Sequence, residues 1–252
     1  MGRPANRLRS GSMLLLTALA TIVAAIIQRV TGLAFVLVLI GPIVLVYGPV
    51  EGVTVAVLLA VVASLTALPS AWPDIDWRRS LWLLGAGLLA APFGALTATL
   101  LPETALLFMI GGMGVLALSA QHLGPIARQV NGRRGAIGAG AVAGFMHASS
   151  GLSGPALASF ALGDGWSQRP FAASAQVIFL GYGTASVALR GLPTTTAPTD
   201  LLVLAACTAG GMLLGAFAAR RVPLALARRV MLLCAWAGTL VLLARAVIAL
   251  FI

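Results

Sequence analysis

Arg29 is the first residue in this chain whose type and position suggest chemistry. It lies in the run Gln28-Arg29-Val30-Thr31-Gly32, which interrupts an apolar stretch extending from Met13 to Tyr47. A charge set among membrane-type residues faces a cavity or a partner by default, and a guanidinium there suits an anion. The competing role is a side chain that reaches out of the hydrocarbon to the interface. His147 is the second candidate, because an imidazole can donate, accept or carry a proton. It opens the segment His147-Ala148-Ser149-Ser150-Gly151-Leu152-Ser153-Gly154-Pro155. Ser149, Ser150 and Ser153, with Thr31 in the first segment, could give hydroxyl hydrogens to oxyanion oxygens. Close helix packing and hydrogen bonds within the fold are the competing roles for these small polar residues. Gln176 is an amide inside an apolar run, where a helix–helix hydrogen bond is the default reading. Arg245 is read as reaching out to the interface and His122 as a loop residue.

The chemistry that is missing narrows the function. The six acidic residues (Glu51, Asp74, Asp76, Glu103, Asp164, Asp200) all fall at the boundaries of apolar runs. Carriers coupled to protons or sodium usually keep a carboxylate within the membrane, so coupling of that kind is not expected. Cys207 and Cys234 sit inside apolar runs without a Cys-x-x-Cys, and no metal or cofactor site is expected. Hydrolase and metalloprotease motifs are absent. Ser153 and His147 are six residues apart, off the shared face of one helix, so no enzyme is expected.

Composition fixes the class of the elements that must position these residues. Of 252 residues, 60% are hydrophobic and 9% charged, with a mean hydropathy of +1.04. A soluble domain averages about 25% charged residues, and this chain has too few to cover a soluble surface. The expected fold is an all-α polytopic membrane protein of about eight crossings, at about 20 residues per span plus loops. The 16 basic residues include no Lys and cluster between apolar runs, as in Arg78-Arg79, Arg133-Arg134 and Arg220-Arg221. That is how charges that set membrane topology are placed, and nucleic acid is excluded as a partner. Residues 1–30 have the order of a secretory signal, but further spans follow at once and the segment is read as a retained first helix.

The chain reads as one transporter domain, 1–252, built from two homologous repeats of about four transmembrane helices each. Repeat 1 covers about 12–121, a linker about 122–134 and repeat 2 about 135–252. Gly32-Leu33 aligns with Gly151-Leu152 at an offset of 119, and Pro102 with Pro223 at an offset of 121. On the first offset His147 corresponds to Gln28. Internal repeats are the usual plan of secondary transporters, with the substrate bound between them. Each repeat opens on a broken or re-entrant helix, because Met13 to Tyr47 is far too long for a core of about 30 Å. Pro155 suits the first turn of a new helix and Ser153 its N-cap. A helix starting inside the bilayer presents unpaired N–H groups to an anion. Four net crossings per repeat put the N-terminal arginines and the 121–135 loop on one side, read as cytoplasmic, and Arg220–Arg229 on the other.

The segment Gly144–Pro155 resembles the Gly-rich repeat opening, of G-x-x-G-G-P type, of the sulfite exporter TauE/SafE family. Pro73-Asp74-Ile75-Asp76-Trp77-Arg78-Arg79, leading into Gly85–Ala95 and Leu101-Pro102, resembles the loop and third helix of that family's first repeat. The resemblance covers essentially the whole chain, although Thr31-Gly32-Leu33-Ala34-Phe35-Val36 lacks the second glycine pair. It implies a multi-pass carrier in the bacterial inner membrane for sulfite or organosulfonates. The site is expected to comprise Gln28, Arg29, Thr31, Gly32, His147, Ser149, Ser150, Gly151, Ser153, Gly154 and Pro155. The expected partners are a small anion and the lipid bilayer, with self-association left open. Export driven by membrane potential is the expected mode. The alternatives are another small organic anion or a membrane assembly role.

Overall fold

A computed structural model describes residues 4–119 and 130–251, with side chains from Ser12 onward. His122 and Arg128 lie outside the described residues, as does most of the expected linker. Ten α-helices form the described chain: α1 (Pro4–Thr31), α2 (Phe35–Tyr47), α3 (Pro49–Ala71), α4 (Trp77–Leu100), α5 (Glu103–Ser119), α6 (Gly132–Ser150), α7 (Gly154–Gly163), α8 (Gln168–Arg190), α9 (Pro198–Ala218) and α10 (Leu224–Ile248). Six of them, α1, α3, α4, α8, α9 and α10, are long and apolar enough to cross a membrane. At about 1.5 Å per residue, the 13 residues of α2 and 10 of α7 reach only about 20 and 15 Å, too short to span alone.

Proline and carboxylate signals set several helix starts. Pro49, Pro155 and Pro198 occupy first-turn positions, where the missing N–H costs nothing. Asp76 accepts from the Arg79 amide at 3.1 Å and caps α4. Leu39, Ile43, Val53, Val57 and Leu59 of α2 and α3 are fully buried or nearly so, whereas Leu89, Leu202, Phe217 and Leu233 of α4, α9 and α10 are exposed. An apolar side chain facing outward from a bundle of this composition is placed to meet lipid.

Glycine lets the helices approach closely. A Cβ at Gly144 of α6 would collide with the Gly87 carbonyl of α4, and one at Gly41 of α2 would come within 3.1 Å of the Gly238 backbone carbon of α10. In membranes, such small-residue seams replace the hydrophobic effect as the source of helix association.

Polar contacts sort the helix ends onto two faces. On one, Arg79 pairs with Asp164 at 2.7 Å, which also accepts from the Gly132 amide; Arg169 pairs with Asp74; and Arg29 donates to Ser70. The ends of α1, α3 and α7 and the starts of α4, α6 and α8 therefore lie together. On the other, Glu51 accepts from the amides of Thr195 and Thr196, and Arg190 donates to the Val50 carbonyl.

Among the described residues, each half, α1–α5 and α6–α10, has five helices where about four spans were expected, and with the end of α1 and the start of α6 on one face the halves begin on opposite faces. The reason is that both breaks fold the short helix back as a hairpin. Tyr47 at the end of α2 lies beside Thr17 of α1, and Asp164 after α7 reaches the start of α6. The extra reversal in each half places Arg220–Arg229 on the same face as Arg78, Arg79, Arg133 and Arg134.

Candidate functional site

The two helix breaks meet in the interior. Gly32 and Gly151 adopt φ of 89° and 78°, a left-handed region open to glycine at little cost, and each lets the chain reverse. The Gly154 Cβ position is 3.4 Å from the Leu33 carbonyl oxygen, and that of Gly151 is 2.8 Å from Val36 Cγ1.

A polar side chain bridges each break. Gln28 Oε1 accepts from the Phe35 amide at 2.9 Å, and its Nε2 donates to the Gly32 carbonyl at 3.3 Å. One N–H at the start of α2 is therefore already capped from within. Across the second break, His147 Nδ1 lies 2.8 Å from Ser153 Oγ. This overturns the separation argued from one helix face: the left-handed turn at Gly151 brings residues six apart into contact. Ser153 does precede α7, but its backbone is helical and its hydroxyl makes no capping bond, being taken up by His147. His147 is 1% exposed, and its Nε2 has no hydrogen-bond partner among the described residues. Phe179 stacks over the ring at 6.3 Å and Tyr182 tilts against it at 5.8 Å.

The expected site residues divide between two cavities. The first, about 310 Å³, is lined by His147, Gly151, Ser153, Gly154, Pro155 and Gln28, with Ser64, Ser159 and Arg228 as further polar groups among apolar walls such as Phe35, Val36 and Phe179. The second, about 300 Å³, is lined by Arg29, Thr31, Gly32 and again Gln28, together with Asp74, Gln168, Arg169 and Gln176. Ser149 and Ser150 reach neither. Their hydroxyls donate to the carbonyls of Phe145 and Met146 at 2.8 Å, and Ser150 touches Met113 Sδ at 3.1 Å. The Thr31 hydroxyl likewise turns to its own helix, donating to Ile27 at 2.8 Å.

Arg245 Nη1 donates to the carbonyls of Val44 and Leu45 at 3.0 and 3.3 Å, at the negative dipole end of α2. Gln176 makes the expected interhelix contact, donating to the Gly32 carbonyl at 3.4 Å. Sequence reasoning passed over Ser64, Ser159 and Arg228. Ser64 was the polar residue within an apolar run, a signal as strong as Gln176, whereas Arg228 read only as a topology charge.

At the rim, Asp164 ties three helices. Burial opposes its charge, but the Gly132 amide and the Arg79 guanidinium overcome this and hold its carboxyl below the ordinary value.

Comparison with protein families gives a match over residues 17–242 to the model described as sulfite exporter TauE/SafE. The comparisons with curated proteins and with solved structures returned no significant match. A match across nearly the whole of an all-helical chain with six membrane-length apolar helices makes this a multi-pass membrane protein, and the chain belongs to the sulfite exporter TauE/SafE family.

Proposed function

We propose that the protein carries small anions, exporting sulfite or an organosulfonate across the bacterial inner membrane by uniport down the membrane potential. One observation carries the site: the unpartnered Nε2 of buried His147, on the wall of the cavity where both helix breaks meet. In the tautomer in which Ser153 donates its hydroxyl to Nδ1, the ring hydrogen sits on Nε2, as a donor for an oxyanion oxygen. Arg228 supplies positive charge on the same wall, and the apolar remainder suits an organic body. A buried polar group without a partner is unfavourable, and the ligand relieves it. The His147–Ser153 pair is read as a binding element, since the residue lines the cavity and no carboxylate among the described residues bonds to its ring.

The helix pairing supports descent of the halves from one unit in inverted orientation. Contacts of α1 with α9 mirror those of α4 with α6, α3 meets α8, and α5 meets α10. Inverted repeats place a substrate site at their interface. The positive-inside rule assigns the face of Arg78, Arg79, Arg133, Arg134, Arg220 and Arg221 to the cytoplasm. This reverses the expectation of a cytoplasmic N-terminus. A monoanion leaving a cell that is negative inside gains about 2.3 kcal/mol per 100 mV, so export needs no coupling carboxylate.

Thermal unfolding of the purified protein with sulfite, taurine, sulfoacetate, acetate and phosphate tests the site. A ligand at about 100 times its Kd adds roughly 2.7 kcal/mol. A sulfite- or sulfonate-dependent rise in melting temperature that His147→Ala reduces is the expected outcome. No rise with any anion, or an equal rise in the folded variant, contradicts it.

A further inference from the structure

The second cavity carries an uncompensated cation and an unanswered acceptor. It lies between the ends of α1 and α3 and the first turns of α8 and α10. Arg29 donates to the neutral Ser70 hydroxyl at 2.7 Å, and no carboxylate among the described residues pairs with it. Arg169 and Asp74, 2.8 Å apart, offset each other. The positive charge left over favours an anion. Gln176 is 5% exposed, and its Nε2 donates to the carbonyls of Ala172 and Gly32 at 3.1 and 3.4 Å. Those two acceptors fix the orientation of the amide, because a flip would set oxygen against oxygen. Its Oε1 is therefore the atom left without a partner, and an acceptor buried in that way calls for a donor.

We propose that this cavity is a second ligand site, selective for a small anion that also bears a hydroxyl or ammonium group. The anionic end meets Arg29 and the donor meets Gln176 Oε1. The proposal rests on the anion-carrier reading, but the site is separate from the His147 cavity, sharing with it the Gln28 side chain. A site that hydrogen-bonds a ligand group discriminates strongly against the analogue lacking it. Selection here falls on the donor, whereas the His147 cavity selects for the oxyanion.

Two monoanions of matched size test it, 2-hydroxyethanesulfonate and propane-1-sulfonate, which differ by a hydroxyl in place of a methyl. Calorimetric titration of the purified full chain is expected to give about tenfold tighter binding of the hydroxyl form, the scale of one recovered buried hydrogen bond. In Gln176→Met the ratio falls to about one, the scale of a lost acceptor, with helix content checked by circular dichroism. Arg29→Gln weakens both ligands alike and leaves the ratio, and His147→Ala leaves the ratio as well. Equal affinities in the natural protein, or a tenfold ratio persisting in folded Gln176→Met, overturn the donor requirement alone. Binding of neither sulfonate removes this site and the anion-carrier reading together.

Discussion

At the residue scale, the side chains that matter act through the breaks in the helices. Gln28 and His147, 119 residues apart, each stand beside a break, yet the amide closes its break with two bonds while the imidazole closes its break with one and keeps a nitrogen free. Their chemistry was legible in the sequence because polar residues inside apolar runs are conspicuous. Their partners were not: the contact of His147 with Ser153 depends on the left-handed turn at Gly151, which spacing along one helix cannot express. Arg29 was legible as a cation near a break but not as lining a cavity apart from His147. Asp164 gives a direct prediction. Its carboxyl titrates lower in the folded chain than in the unfolded one, so its stabilisation is present at neutral pH and is lost as pH falls through the folded value. Asp164→Asn lowers stability at pH 7 by about 1–2 kcal/mol, the range for hydrogen bonds to a charged group near the surface. Melting curves of the two proteins converge under acid conditions; a difference that stays constant down to pH 3, below the ordinary carboxylate value of about 3.9, refutes the assignment.

At the element scale, glycine seams hold the bundle and place the breaks against each other. Positions 144 and 85 separate the two roles a helical glycine has. A side chain at Gly144 collides with the Gly87 carbonyl across the α4–α6 seam, whereas no described residue lies within 4 Å of the Cβ position at Gly85. Gly144→Leu therefore costs at least about 3 kcal/mol, the upper range of overpacking against rigid backbone, and abolishes folded material in size-exclusion chromatography. Gly85→Ala gains about 0.5–1 kcal/mol from helix propensity and raises the melting temperature. The apolar runs gave the positions of the long helices, and Pro155 gave the start of α7. The count per half was not legible, since the run from Met13 to Tyr47 fits a kinked helix and a hairpin equally. Contacts between Tyr47 and Thr17, far apart in sequence, distinguish the two.

At the scale of the whole molecule, the hairpin at each break sets the described halves in opposite directions and gathers the arginine pairs on one face. Composition alone established a membrane protein; orientation required knowing how often the chain turns. Cysteines placed on opposite faces, Thr194→Cys and Ala225→Cys in a chain lacking Cys207 and Cys234, report it. An impermeant thiol reagent applied to intact cells is predicted to label position 194 and spare position 225; the reverse pattern places the arginine-rich face outside. Both cavities lie where the two halves come together, and the central claim is that an anion crosses there on His147. Potential-driven sulfite flux in proteoliposomes tests this most directly, comparing the natural protein with His147→Ala at matched incorporation. Flux is predicted to follow the imposed potential, to be indifferent to a proton gradient at fixed potential, and to fall at least about tenfold in the variant, the scale of one lost hydrogen bond to a charged ligand. Flux that needs the proton gradient contradicts uniport, and undiminished flux in His147→Ala contradicts the site.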